Sequence, residues 1–112
     1  MTDDRLGFPD EPLEAVRRAA GRALVHASAY RPRETLDEAQ LASAMARRLG
    51  RLEESASALA AASLAHYFQA DLVEAVVSSL DALRRARDDA QLARAAFAAS
   101  LAFLAVQARD IA

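Results

Sequence analysis

Two histidines, His26 and His66, are the residues in this chain with the most distinctive possible chemistry. On separate helices of a bundle, two imidazoles can ligate a haem from both faces or share a metal ion. His66 falls on an apolar seam with Ala56, Leu59 and Ser63, and His26 flanks the apolar stripe of the first helix. Neither has a glutamate three residues before it, so the Glu-x-x-His signature of di-iron bundles is missing. A half-buried histidine is as readily satisfied by a serine or a backbone carbonyl. No resident metal or cofactor is therefore expected.

The paired acids Glu53-Glu54 and Asp88-Asp89 make poor acid–base candidates. Such chemistry needs two carboxylates converging in one pocket with separated pKa values. Neighbours on a helix point about 100° apart, whereas a helix's first turn favours negative charge for its own sake. Arginine is more abundant. All 14 basic residues are Arg, in the clusters Arg17-Arg18-Arg22, Arg31 with Arg33, Arg47-Arg48-Arg51 and Arg84-Arg85-Arg87-Arg94. GC-rich coding explains both this and the 30 alanines. If two hairpins bring Arg47-Arg48 beside Arg84-Arg85, the result is a phosphate-binding patch and an all-helical nucleic-acid-binding subunit. Aromatic residues interleaved for base stacking are missing from these clusters.

No nucleophile elbow, glycine-rich phosphate loop or metal-ligand cluster occurs. The lack of cysteine excludes disulfides, thiol catalysis and thiolate-bound metals. An enzyme is the least expected class. With a net charge of −2 there is no global pull toward nucleic acid or anionic lipid. The opening Met1 to Glu14 segment is acidic, unlike a signal peptide. The longest uncharged runs, Ser55 to Ala70 with His66 neutral and Ala95 to Ala108, are both shorter than the roughly 20 residues of a spanning helix. These features suggest a cytoplasmic protein that does not engage a membrane.

Helices must position whatever these residues do. After Gly50 there is neither glycine nor proline, and most residues are strong helix formers. The expected fold is all-α: one domain over 1–112, a compact up-down bundle with short connections. Residues 1–9 read as a flexible acidic leader. Asp10 is the expected cap of a first helix running from Glu11 to about Ala29, with Pro12 in its first turn. Its stripe is Leu13, Val16, Ala20, Ala23, Leu24 and Ala27. Thr35-x-x-Glu38, Asp71-x-x-Glu74 and Asp88-x-x-Gln91 read as capping boxes opening three further helices. Gly50 either ends a helix or kinks a longer one. The seam Ala42, Met45, Leu49, Leu52, Ala56, Leu59 favours the kink, hence four helices, with five as the alternative.

Two weaker patterns accompany these. At an offset of 37, Arg47-Arg48 recurs as Arg84-Arg85, and Ala61-Ala62-Ser63-Leu64-Ala65 as Ala98-Ala99-Ser100-Leu101-Ala102. Gly50-Arg51-Leu52-Glu53-Glu54-Ser55 with Ala62 is similar to the inter-helix turn of a tetratricopeptide repeat, over about one third of one repeat. The large aromatic positions expected upstream are Ala39 and Ala46 here, and no family is assigned on it.

The last two helices carry more apolar circumference than a small bundle needs. In the penultimate one, polar residues concentrate on one strip, Glu74, Ser78, Asp81 and Arg85, while Leu72, Val73, Val76, Val77, Leu80 and Leu83 cover more than half the circumference. The last has two stripes, Leu92-Ala96-Ala99-Phe103-Val106 and Phe97-Leu101-Leu104-Ala108. A helix apolar all round is buried all round. Either this helix is central, or its second stripe meets another subunit. The expectation is a non-enzymatic protein working through protein–protein contacts, as a homodimer, adaptor or small subunit. Its interface residues would be Phe97, Leu101, Leu104, Val73 and Val77.

Overall fold

The computed structural model describes residues 11–111, which form five α-helices and one short 3-10 turn. We number them α1 (Glu11–Ser28), α2 (Pro32–Arg48), α3 (Ala56–Phe68), α4 (Leu72–Arg85) and α5 (Asp89–Ile111), with the 3-10 turn Leu52–Ser55 ahead of α3. The fold is an all-α bundle without strands among the described residues. The acidic leader and Asp10 lie outside the described residues.

Three helix ends close in the same way. Tyr30, Gly50 and Ala70 all take the left-handed conformation, with φ of 59°, 68° and 61°. At each, two backbone N–H groups turn back to orphan carbonyls of the last turn. Arg31 donates to His26, Arg51 to Ala46, and Asp71 to His66, at 2.8–2.9 Å. Gly50 is thus a helix terminator, so the count is five. The seam that favoured a kink is interrupted by the 3-10 turn, which spends four residues reversing the chain.

The starts are less uniform. Thr35-x-x-Glu38 does not open α2. That helix begins three residues earlier with Pro32 in its first turn, and the Thr35 hydroxyl donates to the Arg31 carbonyl at 2.7 Å. Asp71 precedes α4 as expected, but its side chain makes no capping bond. Only the third box forms. The Asp88 carboxylate accepts the Gln91 N–H at 2.8 Å, and the Gln91 side-chain oxygen accepts the Arg87 N–H at 2.7 Å.

The helices stack in two layers. α1, α3 and α5 lie side by side; α2 packs across α1 and α3, and α4 across α3 and α5. The core between the layers is almost entirely alanine. Ala19, Ala23, Ala42, Ala46, Ala58, Ala61, Ala75, Ala82, Ala95 and Ala102 are fully buried, and Val16 is the largest side chain among the fully buried. Helix spacing shrinks with the side chains at the contact. Alanine faces therefore bring backbones close enough for the Ser63 hydroxyl of α3 to donate to the Ala75 carbonyl of α4 at 2.7 Å.

This packing corrects one sequence expectation and decides between the two left open for the last helix. In α4 the buried residues are Ala75, Ser78, Ser79 and Ala82, so Ser78, read as part of the polar strip, faces inward, while Val73 and Val77, expected as contact residues, lie exposed. The Ser79 hydroxyl stays satisfied by the Val76 carbonyl at 2.9 Å. In α5 the buried line is Ala95, Ala98, Ala99 and Ala102, which runs between the two stripes of large residues. The last helix is an edge helix, not a central one.

Candidate protein-contact surface

Large apolar side chains displaced by an alanine core must lie on its margins, and on the α1–α3–α5 face they gather in one groove. It is lined by Leu24, Ala27 and Tyr30 of the first hairpin, Leu64 and Phe68 of α3, and Phe97 and Leu101 of α5. Its volume is about 260 Å³. The Phe68 ring stands 5.0 Å from Tyr30 and 5.7 Å from Tyr67, tilted to both, a stacking geometry favoured by the ring quadrupoles. Tyr30 is 73 % exposed and Phe97 59 %. Leu101 is half-buried at the groove wall.

The opposite end of the same face is polar. Arg17 binds Glu54 through two contacts of 3.1 and 3.3 Å, and Arg94 of α5 donates to Ser57 of α3 at 3.2 Å. Arg51 reaches Glu53 at 2.7 Å and Glu54 at 3.4 Å. The Arg51 guanidinium holds the Glu53 carboxyl below the usual carboxylate range, helped by Glu53's own backbone N–H and by the charge of Arg87. Glu53 and Glu54 are thus salt-bridge partners that share Arg51, and Asp88 accepts the Gln91 N–H at the start of α5.

The other expected contact residues are spread over two more surfaces. Val73 and Val77 lie exposed on the outer side of α4, Val73 at 72 %. Leu104, 61 % exposed, lies with Ala96, Ala99, Ser100, Phe103 and Gln107 along the free flank of α5, bordered by Leu83 of α4. The five residues therefore do not form one patch: Phe97 and Leu101 share the groove, and Leu104 belongs to the flank. Phe103 was assigned to the core-facing stripe and is exposed. The signal that finds it is the register of the alanines, since Ala95, Ala98 and Ala102 fix the buried line. Averaged over 21 residues, Asp89–Arg109 is also apolar enough to cross a bilayer by length and composition alone, although its uncharged run is shorter.

Arg85 and Arg87 of one arginine cluster reach the 3-10 turn that follows another. Arg85 of α4 donates to Ser55, in the turn that follows α2, at 3.2 Å, and Arg87 lies 4.0 Å from Glu53 in the same turn. Arg47 and Arg48 are exposed there. Carboxylates are interleaved, since Arg84 pairs with Asp81 and Glu53 and Glu54 lie beside Arg51.

The two histidines share no groove wall among the described residues. His66 lines a groove between α2 and α4 with Leu36, Ala39, Gln40, Arg47, Leu59, Ala62 and Ser78, and His26 is not part of its wall. The Nδ1 of His66 is buried without a hydrogen bond, 3.9 Å from an Asp71 carboxylate oxygen. Serine or backbone satisfaction, expected from the sequence, is not what this nitrogen has. No group of three potential metal ligands occurs among the described residues. Compared with known proteins, the chain matches no protein-family model, no curated protein and no solved structure at a significant level.

Proposed function

We propose that this protein is a non-enzymatic helical module that works by contacting other protein surfaces, its own copies among them. The observation carrying this is the inversion of the usual sorting: alanine inside, with Tyr30, Val73, Phe97, Phe103 and Leu104 outside. Contiguous exposed apolar surface on a globular chain marks a binding site. The α1–α3–α5 face supports the reading further, because one end carries the aromatic groove and the other a network of charge pairs, the composition of an interface core beside a polar rim.

Nucleic-acid binding by Arg47, Arg48, Arg84 and Arg85 has weaker support, since acids neutralise much of that end. Haem ligation by His26 and His66 together has less, because the groove at His66 excludes His26.

Titration with an environment-sensitive apolar dye, beside light scattering over a dilution series, tests the main reading. The folded protein should bind dye or self-associate, and Phe97→Ser with Leu104→Ser should weaken both at unchanged helicity. A monomer at every concentration that binds no dye removes the proposal.

A further inference from the structure

We infer that the free flank of α5 is a homotypic docking surface, on which α5 of a second copy packs antiparallel about a two-fold axis near Ser100. This rests on the protein-contact reading above and assigns its surface and partner.

The first argument is the internal repeat. Buried Ala58, Ala61, Ala62 and Ala65 of α3 correspond, at the offset of 37, to buried Ala95, Ala98, Ala99 and Ala102 of α5. The same offset carries Leu59, Ala62 and His66, which line the α2–α3–α4 groove, onto Ala96, Ala99 and Phe103, which line the α5 flank. In the first groove α4 supplies the remaining wall through Ser78. On α5 no described helix stands in that place, and Ser100, the counterpart of fully buried Ser63, is exposed. The flank thus continues the α3–α4 interface pattern by one step. After its three-residue turn α4 runs back along α3, so the missing element is an antiparallel helix.

The second argument is self-complementarity. Two copies of α5 related by a two-fold axis across their length are antiparallel. With the axis near Ala99 and Ser100, Phe103 of one copy stands over Ala96 of the other, and Leu92 over Gln107. Large side chains meet small or flexible ones at each step. In a parallel pair Phe103 would meet Phe103. From Ala90 to Gln107 the only charge is Arg94, which is bonded to Ser57 of α3, so the flank presents no charge to a partner.

Area sets the strength. Leu92, Phe103 and Leu104 are each about half exposed and contribute on the order of 100 Å² apiece. With Ala96, Ser100 and Gln107, the pair buries roughly 900 Å² in total, near the lower bound for a specific interface. The result is a reversible, concentration-dependent dimer.

The chain has no cysteine, which makes the test direct. Ser100→Cys places a thiol beside the axis, and oxidation should give a disulfide-linked dimer. Val73→Cys, out on α4, should not. Ser100→Arg sets two like charges against each other and should raise the dimer Kd on the order of a hundredfold at unchanged helicity. If that variant misfolds, the cysteine pair still decides. A dimer that crosslinks through Val73→Cys instead, or ignores Ser100→Arg, overturns the α5 assignment but leaves the protein-contact reading standing. Flotation with phosphatidylcholine vesicles and no dimer would make α5 a lipid contact and overturn it too. A monomer at all concentrations overturns it as well, and only if dye binding is also absent does the broader proposal fall.

Discussion

Replacing Ala61 by leucine should damage this protein more than deleting a phenylalanine ring. Ala61 is fully buried in the cluster of Val16, Ala19, Ala23, Ala42, Ala46 and Ala58. Leucine adds three carbons, worth about 2.4 kcal/mol in transfer from water if space existed for them. Space does not exist where alanines set the helix spacing, so α1, α2 and α3 must separate and lose their own contacts. Overpacking of this kind costs a net ~1–3 kcal/mol even after the transfer gain. Phe97→Ala is the opposite case. With the ring 59 % exposed, under half of a full burial worth ~3 kcal/mol is lost, about 1 kcal/mol. Alanine's better helix propensity returns about 0.5 kcal/mol. Urea unfolding followed by far-UV circular dichroism, at dilution where the chain is monomeric, measures both variants. A stability order in which Phe97→Ala falls well below Ala61→Leu would refute the alanine-core account.

The helix ends and the acid limb provide two further checks. Ala70 holds φ at 61° without glycine's freedom, so Ala70→Gly should stabilise by about 0.5–1 kcal/mol, while Gly50→Ala should cost about 1 kcal/mol, both read as shifts in the thermal midpoint. Because Arg51 lowers the folded-state pKa of Glu53, its contribution is present above the unfolded-state pKa and disappears as pH falls through the folded one. Glu53→Gln should therefore flatten the acid side of a pH–stability profile and leave the neutral region's slope unchanged; an unaltered acid limb would show that the pair carries no linkage.

The helical class and most helix limits were legible because the turn signals are local. Asp88 with Gln91 acts within one turn of chain as expected, whereas Gly50 ends a helix where the apolar seam favoured a kink, and Pro32 opens α2 where Thr35 was the expected cap. Two things were not legible. Tyr30 and Ala70 adopt left-handed caps that no residue type announces, since the short connections impose them. The inward face of α4 was not legible because hydrophobicity does not mark burial where alanine and serine set the helix spacing. Ser78 and Ser79 go inside while Val73 and Val77 stay outside, for the sake of close approach to α3. The alanine register at offset 37 held that information, as the recurrence of the buried alanines of α3 in α5 makes plain. For the candidate site, Phe97 and Leu104 lie exposed and Leu101 half-buried, and their division between two surfaces needed the layer arrangement.

An alanine core has a consequence for the whole surface. Each buried alanine removes little apolar area from water, so a chain with 54 % apolar residues cannot hide its leucines, valines and phenylalanines by thickening the core. They collect along helix margins, where two adjacent helices make a groove and an edge helix makes a ledge. In the interior of the stack the next helix covers the ledge, as α4 covers Ser63. At α5 no described helix does so, and the stripe from Leu92 to Gln107 stays open. The close spacing that makes the interior dense therefore also generates the open apolar surface proposed above as a contact site. A larger residue at Ala95 or Ala98 would push α5 away from α3 and α4 and spoil that ledge without touching it, coupling core spacing to association.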